Sequence, residues 1–132
     1  MFMSSSRFIL LILAFSVIAT AYPAAQDYPE IDSLINLMEA AEGEDRYQRL
    51  IDLSANSSLA SNDRMKYAED AISLATELSN PELIADAHIQ HGFILYEFDE
   101  NDDAMDAFES AYNISEEADY PEGMAMALLR KG

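Results

Sequence analysis

Three observations predict an all-α fold built from repeated two-helix units. First, the segments Asn80 to Gly92 and Tyr120 to Gly132 match at one forty-residue offset: Pro81 recurs as Pro121, Glu82 as Glu122, Ala85 as Ala125, Ala87 as Ala127 and Gly92 as Gly132. A period of that size marks a repeat protein, whose units bury their apolar faces only by stacking. Second, apolar residues after Tyr28 recur at spacings of three and four, with few strand signals. Third, proline and Asn/Asp clusters punctuate the chain at intervals suited to short antiparallel helices, of which five or six fit.

Residues 1–25 differ from everything that follows. Arg7 gives a positive start, Phe8 to Ala21 is almost purely apolar, and Ala19-Thr20-Ala21 offers small residues for cleavage. The pattern predicts a secretory signal peptide. As a helix the apolar run would span about 21 Å, short of a hydrocarbon core roughly 30 Å thick. An uncleaved signal anchor is the alternative, suggested by the weak basic start and by Tyr22-Pro23 after the site. Either form carries the body out of the cytoplasm, to a periplasmic or secreted location.

The body divides into a first helical pair at 28–60 and repeats at 61–132. The first helix is predicted from about Pro29 to Ala41, with Ile31, Leu34, Ile35 and Met38 on one face. A second follows Gly43 through Tyr47, Leu50, Ile51 and Ser54, and Ser54 to Asp63 reads as a loop or a frayed end. Asn62 or Asp63 is the expected N-cap of a third helix with the stripe Met65, Ala68, Ala71, Ile72, Ala75 and Leu78. Asn80-Pro81 stops that helix and starts a fourth, about Pro81 to Phe98, apolar on more than one face and so covered on two sides. After the turn Asp99 to Asp103, whose acids are expected to cap it, a fifth helix carries Ala104, Ala107, Phe108, Ala111, Ser115 and Ala118. A sixth starts at Pro121. Gly132 falls halfway through the first helix of a repeat, so the last unit is expected to be incomplete and the sequence to be part of a longer one.

Composition narrows the function classes. All 25 Asp and Glu lie after Gln26, with six of the seven Lys and Arg, giving that part a net charge of −19. Polyanion binding needs neutralising cations, so nucleic acid is not an expected partner, and a membrane enters only through the N-terminal segment or a span further on. The chain has no cysteine. Disulfides, thiolate metal sites and cysteine nucleophiles are therefore out, and packing must supply the stability.

Gly92, then Ala104, Phe108 and Ala111 at spacings of 12, 4 and 3, with Ala87, Leu95 and Ile114 around them, form a set that resembles the tetratricopeptide repeat. The resemblance implies that a small residue and an alanine meet where two helices cross, with an aromatic beside them, making Gly92, Leu95, Ala104, Phe108 and Ala111 the repeat-packing residues. Ala71, Leu74 and Ala75 match Ala111, Ile114 and Ser115 one repeat earlier. His88 and His91 stand where the family has bulky apolar residues, and the forty-residue period resembles its extended variants rather than the commoner thirty-four. Residues 28–60 match poorly and read as a degenerate or capping pair. The layout of leader, helical pair and repeats is also similar to the extracytoplasmic sensor regions of bacterial receptor enzymes of the diguanylate cyclase and sensor histidine kinase types. The resemblance implies a concave groove made by successive first helices, faced by Asp86, Ile89, Phe93 and Tyr96. Aromatic side chains beside an acid suit a protein or peptide with a basic residue.

The chemistry-bearing alternatives are weaker. His88 and His91 form an H-x-x-H pair that could approach one metal, the basis of a metal-dependent hydrolase reading, but no third ligand or general base is identifiable. Half-buried, hydrogen-bonded structural histidines are expected instead. Asp99, Asn101 and Asp103 open like a calcium loop, yet Ala104 replaces the required glycine and Ser110 the bidentate glutamate. Glu116-Glu117 and Asp102-Asp103 read as a solvated face. The sequence thus predicts a non-catalytic binding scaffold with no cofactor, either the input part of a signalling receptor or a self-contained exported adaptor.

Overall fold

The computed structural model describes residues 30–132, and the leader expected at 1–25 lies outside them. Among the described residues six helices follow one another: α1 (Ile31–Ala40), α2 (Gly43–Ser54), α3 (Ser61–Glu77), α4 (Pro81–Glu97), α5 (Asn101–Glu117) and α6 (Pro121–Lys131). Among the described residues there is no strand, and no helix is long and apolar enough to cross a membrane.

The four helices α3 to α6 begin at residues 61, 81, 101 and 121, so the forty-residue period is two helices and two turns. One turn geometry is used three times. The Asn80 N–H donates to the Ala75 carbonyl at 3.3 Å, Glu100 to Leu95 at 2.9 Å and Tyr120 to Ser115 at 2.8 Å. Between them Ser79, Asp99 and Asp119 take φ of 52°, 61° and 54°. This is a Schellman ending, in which a left-handed residue turns the chain and the carbonyls left over by the last helical turn find donors. Pro81 and Pro121 then occupy first helical positions, where a missing N–H costs nothing.

The expected N-caps need correction. The Asn80 side chain does accept from the Leu83 N–H, at 3.3 Å. The helix α3, however, starts at Ser61 behind Ala60, with Asn62 and Asp63 already in its first turn. Asn56 organises the preceding turn, accepting from the Ser58 N–H with its side chain at 2.9 Å and from the Leu59 N–H with its carbonyl at 3.1 Å, so the chain enters the helix early. Before α5, Glu100 makes no side-chain cap either, and Asp102 and Asp103 sit within the first turn, where their charges favour the positive end of the helix dipole. The first helix begins at Ile31, the fourth ends at Glu97, and the expected loop at 54–63 is confined to the residues between Ser54 and Ser61.

Each helix packs on its neighbours in sequence, and α4 also touches α2 and α6. The helices α2, α4 and α6 thus form one layer and α3 and α5 another. Alanines set the spacing. Ala68, Ala71, Ala75, Ala85, Ala87, Ala111 and Ala127 are all fully buried, letting backbones approach closely. Met38, Tyr47, Leu50 and Leu53 pack with Ala71, Ala75 and Ala87 into a core that joins the first four helices. Leu95, Ala104, Ala107 and Phe108 form the core between α4 and α5, and Ile89, Ala111 and Ala127 join those two helices to α6. Phe108 is 2% exposed, a burial that contributes roughly 1.5–3 kcal/mol.

The close approach expected at Gly92 is made by the Phe108 ring. A Cβ on Gly92 would lie 2.7 Å from Phe108 Cε1. Of the expected stripe on α3, Leu78 is exposed, while Met65 and Ile72 are partly covered.

Candidate partner-binding surfaces

The residues Asp86, Ile89, Phe93 and Tyr96 lie at i, i+3, i+7 and i+10 of α4, one face of the helix. The structure divides them between two depressions. Asp86 and Ile89 line one of about 270 Å³, with Tyr47, Gln48 and Ile51 of α2, Tyr120, and Met126 of α6. Phe93 and Tyr96 line another of about 410 Å³, with Met105 and Phe108 of α5 and Leu129 to Gly132 at the end of α6.

Within this face the four differ in freedom. Ile89 is buried in the core. Asp86 is half-buried, and the Tyr120 hydroxyl donates to its carboxylate at 3.1 Å. Burial pushes the Asp86 carboxyl above its ordinary range, the Tyr120 hydrogen bond pulls it down, and Glu82 pushes it up again. Phe93 lies under the Arg130 guanidinium, 4.8 Å from its ring centroid, a cation–π contact. Tyr96 is 61% exposed and free to meet a partner. Tyr47 anchors the other end: its hydroxyl donates to the Leu83 carbonyl at 3.0 Å. Desolvation pushes the Tyr47 hydroxyl well above the usual phenol range, with Asp86 and Tyr120 adding to the shift, so it remains a donor.

His88, His91 and Leu95 lie on nearly the opposite side of α4, at about 100° per residue. They face a larger cleft of about 730 Å³ shared with Ser61, Asn62, Met65 and Glu69 of α3 and Asp103, Asp106, Ala107 and Ser110 of α5. Burial holds both imidazoles below their ordinary value. Each is opposed or helped by a neighbour: His91 lowers His88, while Glu69 and Asp103 push His91 back up. The sequence reading expects hydrogen-bonded imidazoles, but His91 Nε2 stands 3.9 Å from Glu69 Oε1, the range of an ion pair rather than a hydrogen bond. Among the described residues no group of three or more His, Cys, Asp or Glu side chains is arranged to hold a metal ion.

Arg64 is the main feature that sequence reasoning passes over. It is 9% exposed, its Nε donates to the Ser54 carbonyl at 2.8 Å, and its Nη2 meets Glu97 Oε2 at 2.8 Å. The guanidinium satisfies a carbonyl at the end of α2, ties α3 to α4, and lies 5.8 Å from the ring of Phe98, which closes one end of the large cleft. A signal exists: Arg64 stands four, seven and eleven residues before Ala68, Ala71 and Ala75, on their buried face, and forty before Ala104. Tyr47 and Tyr120 carry no comparable signal, because their partners are about 35 residues away.

No protein-family model matches the chain, and neither a curated protein nor a solved structure gives a match. What the fold and these surfaces define is a class: an all-α stack of helical hairpins with depressions on both sides of its central helix.

Proposed function

We propose that this chain is a non-catalytic scaffold of tetratricopeptide type that holds a protein or peptide bearing a basic residue on the face shared by α2, α4 and α6. The supporting observation is that Asp86 and Ile89 line a depression against α2 and α6, and Phe93 and Tyr96 one against α5 and the end of α6, with a half-buried carboxylate at one end of the face and an exposed phenol at the other. Asp86 supplies a charge-assisted acceptor in a partly desolvated place, where such contacts are worth more than on open surface. Tyr96 supplies a rigid apolar plate of the kind that dominates binding energy at interfaces. In this reading the scaffold is exported, and it forms the input part of a bacterial signalling receptor whose response comes from a partner shifting the tilt of stacked hairpins.

Chemical-shift mapping of the chain with an extended peptide of alternating leucine and lysine, against its leucine–glutamate counterpart, tests the reading. Lysine-specific shifts are expected at Asp86, Phe93 and Tyr96, and Asp86→Asn should abolish them. Equal responses to both peptides, or none on this face, would discard it.

A further inference from the structure

The helices α3 and α5 both pack on α4 without their backbones closing on each other, so α4 floors a trough that the other two wall. Leu95 on that floor, Met65 on the α3 wall and Ala107 on the α5 wall make an apolar strip beside His88 and His91, with Phe98 at one end. Acids stand on both sides: Glu69 on the α3 wall, Asp103 and Asp106 on the α5 wall, and Glu100 in the turn before it. Among the described residues no lysine or arginine lines the trough.

We propose that this trough is a second docking surface, which seats a basic amphipathic helix of another protein and releases it in acid. A helix is favoured over an extended segment because all three surrounding elements are helices, whose backbone groups are engaged internally and offer no edge to pair with. From His88 to Leu95 the floor runs about 10 Å, two turns of α4, which suits a partner stripe at i, i+3, i+4 and i+7. Carboxylates on both walls call for lysine or arginine on both flanks of that stripe, and they repel an acidic helix.

His88 and His91 lie on the floor beneath such a partner. The charged groups facing them are Glu69 from α3, Glu100 from the turn, Asp103 and Asp106 from α5, and each other. Protonation places positive charge under a cationic helix and offsets the acids that attract it. Imidazole is the side chain whose ordinary titration falls between about pH 5 and 8, so the release belongs to mild acid.

Fluorescence anisotropy tests this with the whole chain and a labelled helical peptide of about four turns, leucine along one stripe and lysine on both flanks. A control peptide carries glutamate for lysine. Saturable binding of the lysine peptide alone is expected, weakened at least about tenfold by the double variant Asp103→Asn/Asp106→Asn and unchanged by Tyr96→Ala. Lowering the pH from about 7.5 to about 5.5 should weaken it by a similar factor, and His88→Gln/His91→Gln should bind well at both values. Circular dichroism under each condition separates release from unfolding. The proposal is overturned by equal binding of the two peptides. Loss of binding on Tyr96→Ala but not in the aspartate variant would place the occupant on the α2, α4 and α6 face and also overturn it. So would sedimentation showing that the trough is closed by a second copy of the chain.

Discussion

The missing side chain of Gly92 is the space in which the edge of the Phe108 ring sits, so α4 and α5 are spaced by a glycine and an aromatic that lie sixteen residues apart. A Cβ on Gly92 would stand 2.7 Å from Cε1 and 2.9 Å from Cδ1 of the ring. The ring cannot swing aside freely, because Leu95, Ala104 and Ala107 pack around it. Gly92→Ala should therefore destabilise the fold by about 1–3 kcal/mol in urea unfolding, despite the better helix propensity of alanine. Phe108→Leu in the same chain should recover part of the loss. If the two changes simply add, the contact is not what sets the spacing.

The Ser54 carbonyl depends on Arg64. Arg64→Leu keeps much of the side-chain volume but leaves that carbonyl without its donor, which should cost about 1–3 kcal/mol in the unfolding midpoint. Glu97 is more exposed than its partner, and water can solvate it, so Glu97→Gln should cost under about 1 kcal/mol. Equal losses for the two variants would show that the ion pair to α4, not the carbonyl contact to α2, carries the contribution of Arg64.

Acid should weaken the fold through His88 and His91. Burial depresses both in the folded state below the ordinary 6.5, so the unfolded chain takes up these protons first. Their contribution is complete above pH 6.5 and is lost progressively as the pH falls below it. Asp86 acts in the opposite sense. Its carboxyl is raised above 3.8, so its contribution is present in acid and lost as the pH rises through its folded value. Thermal unfolding from neutral pH down to the ordinary carboxylate range is best compared in wild type, His88→Gln/His91→Gln and Asp86→Asn. The histidine variant should show a flatter slope below pH 6.5, and the asparagine variant a steeper one in the more acid range just above 3.8.

Asp99 turns the chain with a φ of 61°, a region in which an L side chain is strained and glycine is at ease. Asp99→Gly should raise stability by about 0.5–1 kcal/mol, the relief of strain exceeding the added freedom of the unfolded chain. Ser79→Gly and Asp119→Gly should act alike and add to it, since each turn is closed by its own backbone hydrogen bonds and shares none with the others. A fall in melting temperature for any of them would point to a native contact of that side chain.

The α2, α4 and α6 surface can be dissected through Tyr120. Tyr120→Phe removes the donor to Asp86 at 3.1 Å and should drive that half-buried carboxyl further up, because the hydrogen bond is what lowers it. Carbon-detected titration of Asp86 checks this. An unchanged titration would mean that water replaces the phenol.

Helix content and order were legible because they depend on local chemistry. The forty-residue recurrence of Pro81 as Pro121 and the alanine stripes of α3 and α5 state where helices start and which side they bury. The caps were less legible. Asn62, Asp63 and the acids around Asn101 all suit an N-cap, and the choice went to Ala60 and Glu100 through the turns before them, which no single residue announces. The likeness in turn chemistry at Ser79, Asp99 and Asp119 was also hidden, since three different neighbours surround a left-handed residue that is not glycine.

The sequence by itself determined that the residues from Ile31 onward form short helices packed in hairpins, because spacing at three and four, proline at first positions and small residues on one side act within a single turn or two. Only the tertiary structure decided which side chains share a surface. It set Asp86 beneath Tyr120, buried Arg64 against the end of α2, and gathered Glu69, His91 and Asp103 from three helices about one trough. Such meetings join residues far apart in the chain, and their geometry follows from how closely alanines and Gly92 let the helices approach, a property of the packed whole.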